Sequence, residues 1–328
     1  LSKKRLLVLG AGTRASVIEK RMRRAADTRH FDIVGFIHIN GDAGGEISDE
    51  KIIEFDCPVD QYAADNNIEQ IVIACDERRD NLPFEEIARC KINGTKVIDI
   101  LEFVENETDQ LAIDLIYPGW VLYSQPFLAP SPFESTVLHF LNAILAVVIS
   151  ILLWPIALVA ALSIKFEDGL YAPVLYCQTR VGLNGAPFDI YKLRSMRENA
   201  ESNGAVWAQV DDDRTTRVGR FIRRYRIDEL PQLYNVLRGD MGFVGPRPER
   251  PEFVDRLIDS IPFYNERHQV KPGLTGWAQL SYSYGASESD AFDKLQFDLY
   301  YVKNRSYLFD LLIILRTIEI VVFSKGSR

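Results

Sequence analysis

Cysteine is scarce in this chain of 328 residues, and no C-x-x-C pair occurs. The four cysteines, Cys57, Cys75, Cys90 and Cys177, are scattered, which argues against a structural zinc site or a disulfide framework and fits a reducing cytoplasm. Basic residues are also fewer than acidic residues. Because 38 Lys and Arg stand against 46 Asp and Glu, the net charge is −8, and we expect no nucleic-acid partner.

The length of the chain predicts two domains. The sequence begins at Leu1 without a methionine and enters a strand almost at once, so we expect it to be part of a longer protein. We predict a first domain with its linker over residues 1–125 and a second domain over residues 126–328.

Strand and helix patterns alternate through the first hundred residues. Strands are predicted at 5–10, 31–39, 68–75 and 96–100, with helices at 15–26 and 82–90. Strands separated by helix-length stretches predict a parallel sheet with crossover helices, which is a Rossmann-like α/β domain. Residues 101–135 are rich in proline, aromatic and acidic residues and are predicted to form a linker with some strand character.

A glycine-rich motif, GAGTRA at residues 10–15, follows the first predicted strand. It matches G-x-G-x-x-A, so Gly10 and Gly12 are candidate cofactor-binding residues. This motif would suit an NAD-dependent sugar-nucleotide oxidoreductase or epimerase. However, the second strand ends without the expected ribose-binding acid, since Asp42 comes only beyond Gly41, and no Tyr-x-x-x-Lys pair occurs. A regulatory or structural role for this domain is therefore favoured.

A long apolar segment runs from Leu138 to Ile164 without any Asp, Glu, Lys or Arg. It exceeds the roughly 20 residues that a helix needs to cross a bilayer, so we predict a membrane helix. Pro155 lies inside it and predicts a kink. Because no Lys or Arg occurs from Val97 to Ile164 while Lys165 follows, the positive-inside rule would favour a simple span with its C-terminal side inside.

Two adjacent acids, Asp228 and Glu229, precede an apolar helical pattern in RIDELPQLYNVLRGDMGFVGPRPE, residues 226–249. One interpretation is structural: Asp228 caps the helix and Glu229 complements its dipole. The other is catalytic, because a helix N-terminus also offers free amide groups to a phosphate. The two interpretations are compatible.

Basic residues surround these acids in the sequence. Six arginines lie upstream, at Arg214, Arg217, Arg220, Arg223, Arg224 and Arg226. Four of them step by three, which predicts one face of a helix; this could be a solvated face or a phosphate-binding one. In GPRP, residues 245–248, Arg247 is held in a rigid segment, as either an anion ligand or part of a surface turn.

Three segments of the second domain resemble the polyprenyl-phosphate glycosyl-1-phosphate transferases, the monotopic phosphoglycosyl transferase superfamily of bacterial sugar transferases. They are QTRVGLNGAPFDIYKLRSM at 178–196, RRYRIDELPQLYNVLRGDMGFVGPRPE at 223–249 and KPGLTGWAQ at 271–279. They follow a proline-broken apolar segment, as in the family, and the resemblance covers residues 126–328. The first domain resembles that of larger members, which initiate exopolysaccharide or O-antigen synthesis.

The resemblance implies a mechanism. Asp228 attacks the sugar-linked phosphorus of a UDP-sugar and releases UMP, and polyprenyl phosphate then takes the sugar phosphate. Glu229 would hold Mg²⁺ or orient the diphosphate. By motif position, Arg223, Arg224 and Arg247 are the primary candidates for phosphate ligands; Lys192 and Arg194 are secondary candidates that could instead form a buried ion pair.

The resemblance also implies a location and an assembly. The expected fold is an α+β catalytic domain with a re-entrant membrane helix broken at Pro155, on the cytoplasmic face of the bacterial inner membrane. Expected partners are a UDP-sugar, undecaprenyl phosphate, membrane lipid and a second copy of the chain in a homodimer. A non-enzymatic scaffold of polysaccharide assembly is a third hypothesis, but it would not need Asp228, Glu229 and Arg247 together.

Overall fold

The computed structural model describes residues 3–22, 30–44, 47–54, 57–77, 81–117, 131–197, 212–282 and 287–323. The chain divides into two compact units, Leu1–Trp120 and Val121–Arg328. The boundary predicted at residue 125 falls within 118–130, which lie outside the described residues, so it stays a prediction.

The first unit is built on a four-stranded parallel sheet. Its strands are β1 (Lys4–Leu9), β2 (Phe31–Ile37), β3 (Gln70–Ile73) and β4 (Lys96–Asp99), in the spatial order β2-β1-β3-β4. Helices α1 (Thr13–Arg21), α2 (Val59–Asp65) and α3 (Phe84–Ile92) connect successive strands, as parallel pairing requires. The predicted strands and their parallel arrangement are confirmed.

The buried part of the inner strand β1 is apolar throughout. Leu6, Leu7, Val8 and Leu9 of β1 have no exposed surface, because β1 lies between two other strands and is covered on both faces. A continuous apolar run, rather than alternation, is typical of such a strand. The burial of β1 on both faces therefore explains why the sequence of residues 5–10 predicts a strand.

The start of the predicted linker is a helix. Helix α4 spans Ile100–Thr108, and the side chain of Asp99 caps it by accepting the Leu101 amide at 2.8 Å. The prediction of a linker with strand character from residue 101 is therefore wrong for this part. The cap residue is also the last residue of β4, so the chain passes from strand to helix without an intervening loop.

The second unit begins with a single long helix, α5, over Pro132–Asp168. It extends beyond the predicted segment 138–164 because Ser131 and Glu134 form a capping box at one end and Gly169 ends the other. It is long and apolar enough to cross a membrane, and Ile151, Leu152 and other large apolar side chains on it are exposed. Helix α5 therefore fits a membrane-associated domain.

Helical structure in α5 continues through Pro155. A proline removes one backbone hydrogen bond, and apolar helices tolerate that loss without ending. Small residues mark the buried stripe: Ala146 packs in the cluster of Leu233 and Val236, and Ala160 in the cluster of Leu193 and Ile222. Contrary to expectation, the helix does not break at Pro155, and the re-entrant path stays a prediction.

The rest of the second unit is a mixture of short strands and helices. The elements are β5 (Leu175–Val181), β6 (Pro187–Leu193), α6 (Arg217–Arg224), α7 (Gln232–Arg238), β7 (Gly242–Val244), α8 (Pro251–Ser260), β8 (Gly273–Thr275), α9 (Trp277–Ser281), α10 (Glu288–Asn304) and α11 (Tyr307–Phe323). Strands β5 and β6 form an antiparallel hairpin, whereas β7 and β8 pair in parallel. This mixed composition agrees with the predicted α+β class.

Candidate active site

The acid pair lies on a 3₁₀ turn, Ile227–Glu229, between α6 and α7. Arg226 precedes it with a left-handed backbone, φ 54°, which is uncommon for a residue with a side chain and breaks the helical path after α6. Helix α7 begins only at Gln232, and its N-cap, Pro231, makes no side-chain cap. The interpretation of Asp228 as the cap of this helix is therefore wrong.

Glu229 is held between two arginines. Its Oε1 accepts from Arg247 Nη2 at 2.8 Å and its Oε2 accepts from Arg226 Nη1 at 3.2 Å. Burial opposes the ionisation of Glu229, but the cations around it, Arg247 first, hold the pKa of this carboxyl well below its usual range. Glu229 is thus a fixed anion that orients two guanidinium groups.

Asp228 differs from its neighbour in both environment and the direction of its pKa shift. It is 8% exposed, and the described residues give its carboxylate no hydrogen-bond donor. Burial raises the pKa of Asp228 to about 6, and the carboxylate of Glu229 adds to the rise. The positive charges of Lys192, Arg223 and Arg247 act in the opposite direction. A carboxylate that is ionised at neutral pH and not committed to a partner suits a nucleophile.

Lys192 and Arg223 reach the acid pair from different elements. Lys192, on β6, is half-buried, and desolvation lowers its pKa to about 8; its charge acts on both Asp228 and Glu229. Arg223, on α6, has a buried Nη1 without a hydrogen-bond partner among the described residues. A buried donor without a partner is costly unless a ligand accepts from it, so Arg223 is placed to bind an anion.

Arg247 is fixed through its backbone. Its carbonyl accepts from Arg267 Nη2 at 2.9 Å, and the same nitrogen of Arg267 contacts Asp298 Oδ2 at 2.8 Å. Arg267 and Asp298 are each 5% exposed at the side chain. At the next residue, Arg180 of β5 donates to the carbonyl of Pro248 at 3.3 Å. The GPRP segment is therefore held by a buried ion pair and by a strand.

Two predicted ligands lie elsewhere. Arg194 forms an ion pair with Asp168 at 2.6 Å, with only 8% of its side chain exposed. This is the alternative that the sequence left open, and it ties the end of β6 to the end of α5. Arg224 is exposed, and its guanidinium lies 5.9 Å from the ring centroid of Tyr225. The structure therefore places Lys192, Arg223 and Arg247 around the acid pair, and shows other contacts for Arg194 and Arg224.

The arginine series is split by a helix cap. The side chain of Thr216 accepts from the Gly219 amide at 2.8 Å and starts α6, so Arg214 lies outside the helix and pairs with Asp212. The expectation that one helix carries all the arginines that step by three is therefore wrong. The structure adds Arg226, which sequence analysis counted but did not assign; its i,i+3 spacing to Glu229 was the available signal.

The described residues contain no cluster of three or more His, Cys, Asp or Glu side chains that could hold a metal ion. Both oxygens of Glu229 accept from arginines, whereas the carboxylate of Asp228 has no hydrogen-bond donor among the described residues. Mg²⁺ is usually bound by one or two carboxylates together with substrate phosphates. The acid pair fits such a shared site and does not form a protein-only cage.

In the first unit, Gly10 and Gly12 lie between β1 and α1, as the motif predicts. Gly10 has a left-handed backbone, φ 127°, and an added Cβ would lie 2.5 Å from backbone atoms of Ala74 and Cys75. Only glycine fits this position. Whether the loop binds a cofactor is a separate question from why it needs glycine.

Comparison with known proteins identifies the family. Residues 133–324 match the family described as bacterial sugar transferase. A UDP-N-acetylgalactosamine-undecaprenyl-phosphate N-acetylgalactosaminephosphotransferase of Aeromonas hydrophila is 40% identical over 259 residues, covering 78% of this chain and 60% of that protein. A UDP-glucose:undecaprenyl-phosphate glucose-1-phosphate transferase of Caulobacter vibrioides is 45% identical over 180 residues, covering 54% of this chain and 67% of that protein.

A third relative, a UDP-glucose:undecaprenyl-phosphate glucose-1-phosphate transferase of Xanthomonas campestris pv. campestris, is 32% identical over 278 residues, covering 81% of this chain and 56% of that protein. The chain belongs to the bacterial sugar transferase family, because more than half of its residues match the family model. It spans about 60% of the length of the Aeromonas relative.

Proposed function

We propose that the protein transfers a sugar-1-phosphate from a UDP-sugar to a polyprenyl phosphate such as undecaprenyl phosphate, giving polyprenyl diphosphate-sugar and UMP. The observation that carries this proposal is the buried, uncommitted carboxylate of Asp228, with its raised pKa, among the cations Lys192, Arg223 and Arg247. This arrangement combines a nucleophile with groups that can neutralise a diphosphate.

The reaction proceeds in two displacements at one phosphorus atom. An oxygen of Asp228 bonds to the sugar-linked phosphorus, the P–O bond to the other phosphate breaks, and UMP departs with the electron pair. A phosphate oxygen of the polyprenyl phosphate then bonds to the same phosphorus and releases the carboxylate. Both leaving groups are anions, so the surrounding cations stabilise charge in each step.

Each cation has a position suited to this role. Arg247 is held by Glu229 and by the anchored GPRP backbone, so its guanidinium is oriented before a substrate arrives. Arg223 offers its buried Nη1, which has no hydrogen-bond partner among the described residues, and the charge of Lys192 acts on both acids. When bound, Mg²⁺ would neutralise diphosphate charge, with Glu229 and Asp228 as its carboxylate neighbours.

The exposed apolar surface of α5 supports a membrane location, where a polyprenyl chain would be available. Because UDP-sugars are cytoplasmic, the second unit acts on the cytoplasmic face of the bacterial inner membrane, with α5 as a re-entrant helix. The order β2-β1-β3-β4 is the flavodoxin-like variant of the doubly wound sheet, so it supports a Rossmann-like class for the first unit in this broad sense, without the classic dinucleotide-binding strand order. A homodimer and a role in initiating surface polysaccharide synthesis complete the proposal.

The relatives leave the sugar open. The Aeromonas relative is named for N-acetylgalactosamine and the Caulobacter relative for glucose. The test is therefore a panel: the full chain in nanodiscs receives Mg²⁺, undecaprenyl phosphate and one UDP-sugar at a time, and UMP release is measured. We expect one sugar to give UMP release that depends on the lipid.

Asp228→Asn keeps the size of the side chain and removes its charge, and it should abolish release. Asp255→Asn is the matched control, because Asp255 is an exposed acid on α8 of the same unit. Equal release from wild type and Asp228→Asn would contradict the proposed nucleophile. NAD-dependent redox chemistry and a non-enzymatic scaffold gain no support from the comparisons, whose named relatives are transferases.

A further inference from the structure

Two carboxylates of the first unit converge on its glycine-rich loop. Asp42 follows β2 and Asp76 follows β3, and the ends of these parallel strands lie at one edge of the sheet. Asp42 Oδ2 accepts from the amides of Ala11 at 2.8 Å and Ile39 at 3.0 Å. Its Oδ1 accepts from the amide of Asp76 at 3.1 Å, so one acid positions the backbone of the other.

Asp76 occupies the N-terminus of α1. Its Oδ2 accepts from the amides of Thr13 at 2.9 Å and Ala43 at 3.1 Å. Its Oδ1 accepts from the Arg14 amide and from the Thr13 hydroxyl, each at 2.9 Å. In dinucleotide-binding domains, the amides at this helix end are the donors to the pyrophosphate. Here the protein's own carboxylate binds them.

The second glycine of the motif is explained by the same contact. A Cβ added at Gly12 would lie 2.2 Å from Asp76 Oδ2. In the dinucleotide fingerprint, this glycine allows the backbone to approach the pyrophosphate closely. Gly12 here allows the approach of a side chain, so the motif persists without any need for a bound phosphate.

The negative charge of Asp76, like its position, opposes the binding of a pyrophosphate. Although burial alone would raise it, the hydrogen bonds from Arg14, Thr13 and Ala43 leave the pKa of Asp76 below its usual value. Asp76 is therefore an anion at neutral pH. A pyrophosphate entering the loop would meet this charge and would have to displace four hydrogen bonds.

We infer that the glycine-rich loop is closed to dinucleotides because Asp76 takes the place of the pyrophosphate, with Asp42 holding the loop around it. The loop is then held by side chains of the protein itself and needs no bound phosphate. Gly10 and Gly12 therefore do not have the cofactor-binding role that the motif predicts. This inference concerns the first unit alone and does not depend on the proposed transferase activity.

Hydrogen exchange of the full chain in nanodiscs tests the inference. In wild type, we expect the amides of Ala11, Thr13, Arg14 and Ala43 to exchange slowly without ligand. Saturating NAD⁺, NADH or inorganic pyrophosphate should not change their rates. Added protection of these amides by any of the three would overturn the inference, and this comparison needs no variant.

Asp76→Ala should increase exchange of the Thr13 and Arg14 amides by about tenfold or more, because hydrogen bonds to a charged acceptor are lost. Inorganic pyrophosphate should then restore protection in the variant. Asp65→Ala, which removes an exposed acid of α2, is the matched control and should leave these rates unchanged. Unchanged exchange in Asp76→Ala, or no protection of that variant by pyrophosphate, would overturn the assignment of Asp76 as the phosphate substitute.

Discussion

The buried ion pair between Arg267 and Asp298 gives a prediction that links stability to the active site. Asp298→Asn would leave the guanidinium of Arg267 buried without its counter-charge, since both side chains are only 5% exposed. Breaking such a pair costs about 3–5 kcal/mol. At roughly 2–4 °C per kcal/mol for a unit of this size, the melting temperature should fall by about 6–20 °C.

The assay is thermal unfolding of the purified chain at one fixed scan rate, followed by tryptophan fluorescence. Trp277 is a suitable reporter, because it lies in the same buried hydrophobic cluster as Phe297 and Tyr301. The control is Glu252→Gln, since Glu252 pairs with Arg250 at 3.6 Å but is 56% exposed. An exposed pair contributes about 0–1 kcal/mol, so this control should shift the melting temperature little.

A double substitution separates stability from positioning. Arg267→Met with Asp298→Leu replaces the pair by apolar side chains, which can recover most of the lost stability. The hydrogen bond from Arg267 to the Arg247 carbonyl is absent in this variant, so its UMP release should be lower than that of wild type even though its stability recovers. Equal melting temperatures for Asp298→Asn and Glu252→Gln would refute the reasoning, as would full activity in the double variant.

Three further predictions follow from the site. Because the carboxyl of Asp228, with a pKa of about 6, must lose its proton to attack, kcat/KM for the UDP-sugar should rise with pH through about 6; an acid limb near pH 4 would contradict this. Arg247→Ala should lower kcat/KM by about 10²–10³-fold, with Arg247→Lys recovering part of it; wild-type rates would exclude a charge-stabilising role. Asn235→Ala should destabilise the protein by about 2–4 kcal/mol in denaturant titrations, because the Tyr191 amide and the Asp189 carbonyl lose their hydrogen bonds to this side chain. A loss of stability below about 1 kcal/mol would mean that water replaces the side chain.

The sequence predicted what depends on local pattern. Apolar runs such as residues 6–9 of β1 located the strands of the first unit, and the uncharged stretch from Leu138 to Ile164 located most of α5, which is long and apolar enough to cross a membrane. The motif around Asp228 and Glu229 identified the acid pair because it resembles the motif of the bacterial sugar transferases. Each of these signals lies within a few residues of the feature that it predicts.

Contacts between distant residues could not be predicted in this way. Asp76 binds Thr13 and Arg14 across more than sixty residues, and no local pattern marks it as their partner. Arg267 and Asp298 are likewise joined only by the fold. Backbone choices were also missed: the left-handed Arg226 places Asp228 on a 3₁₀ turn instead of the first turn of a helix.

The most direct test of the central claim is to trap the intermediate on Asp228. The full chain is mixed with Mg²⁺ and the active UDP-sugar without polyprenyl phosphate, quenched, digested and examined by mass spectrometry. The account predicts that the peptide containing Asp228 gains the mass of one sugar phosphate, and that adding polyprenyl phosphate before quenching removes it. UMP release with no adduct on this peptide, or the same adduct in Asp228→Asn, would contradict the account.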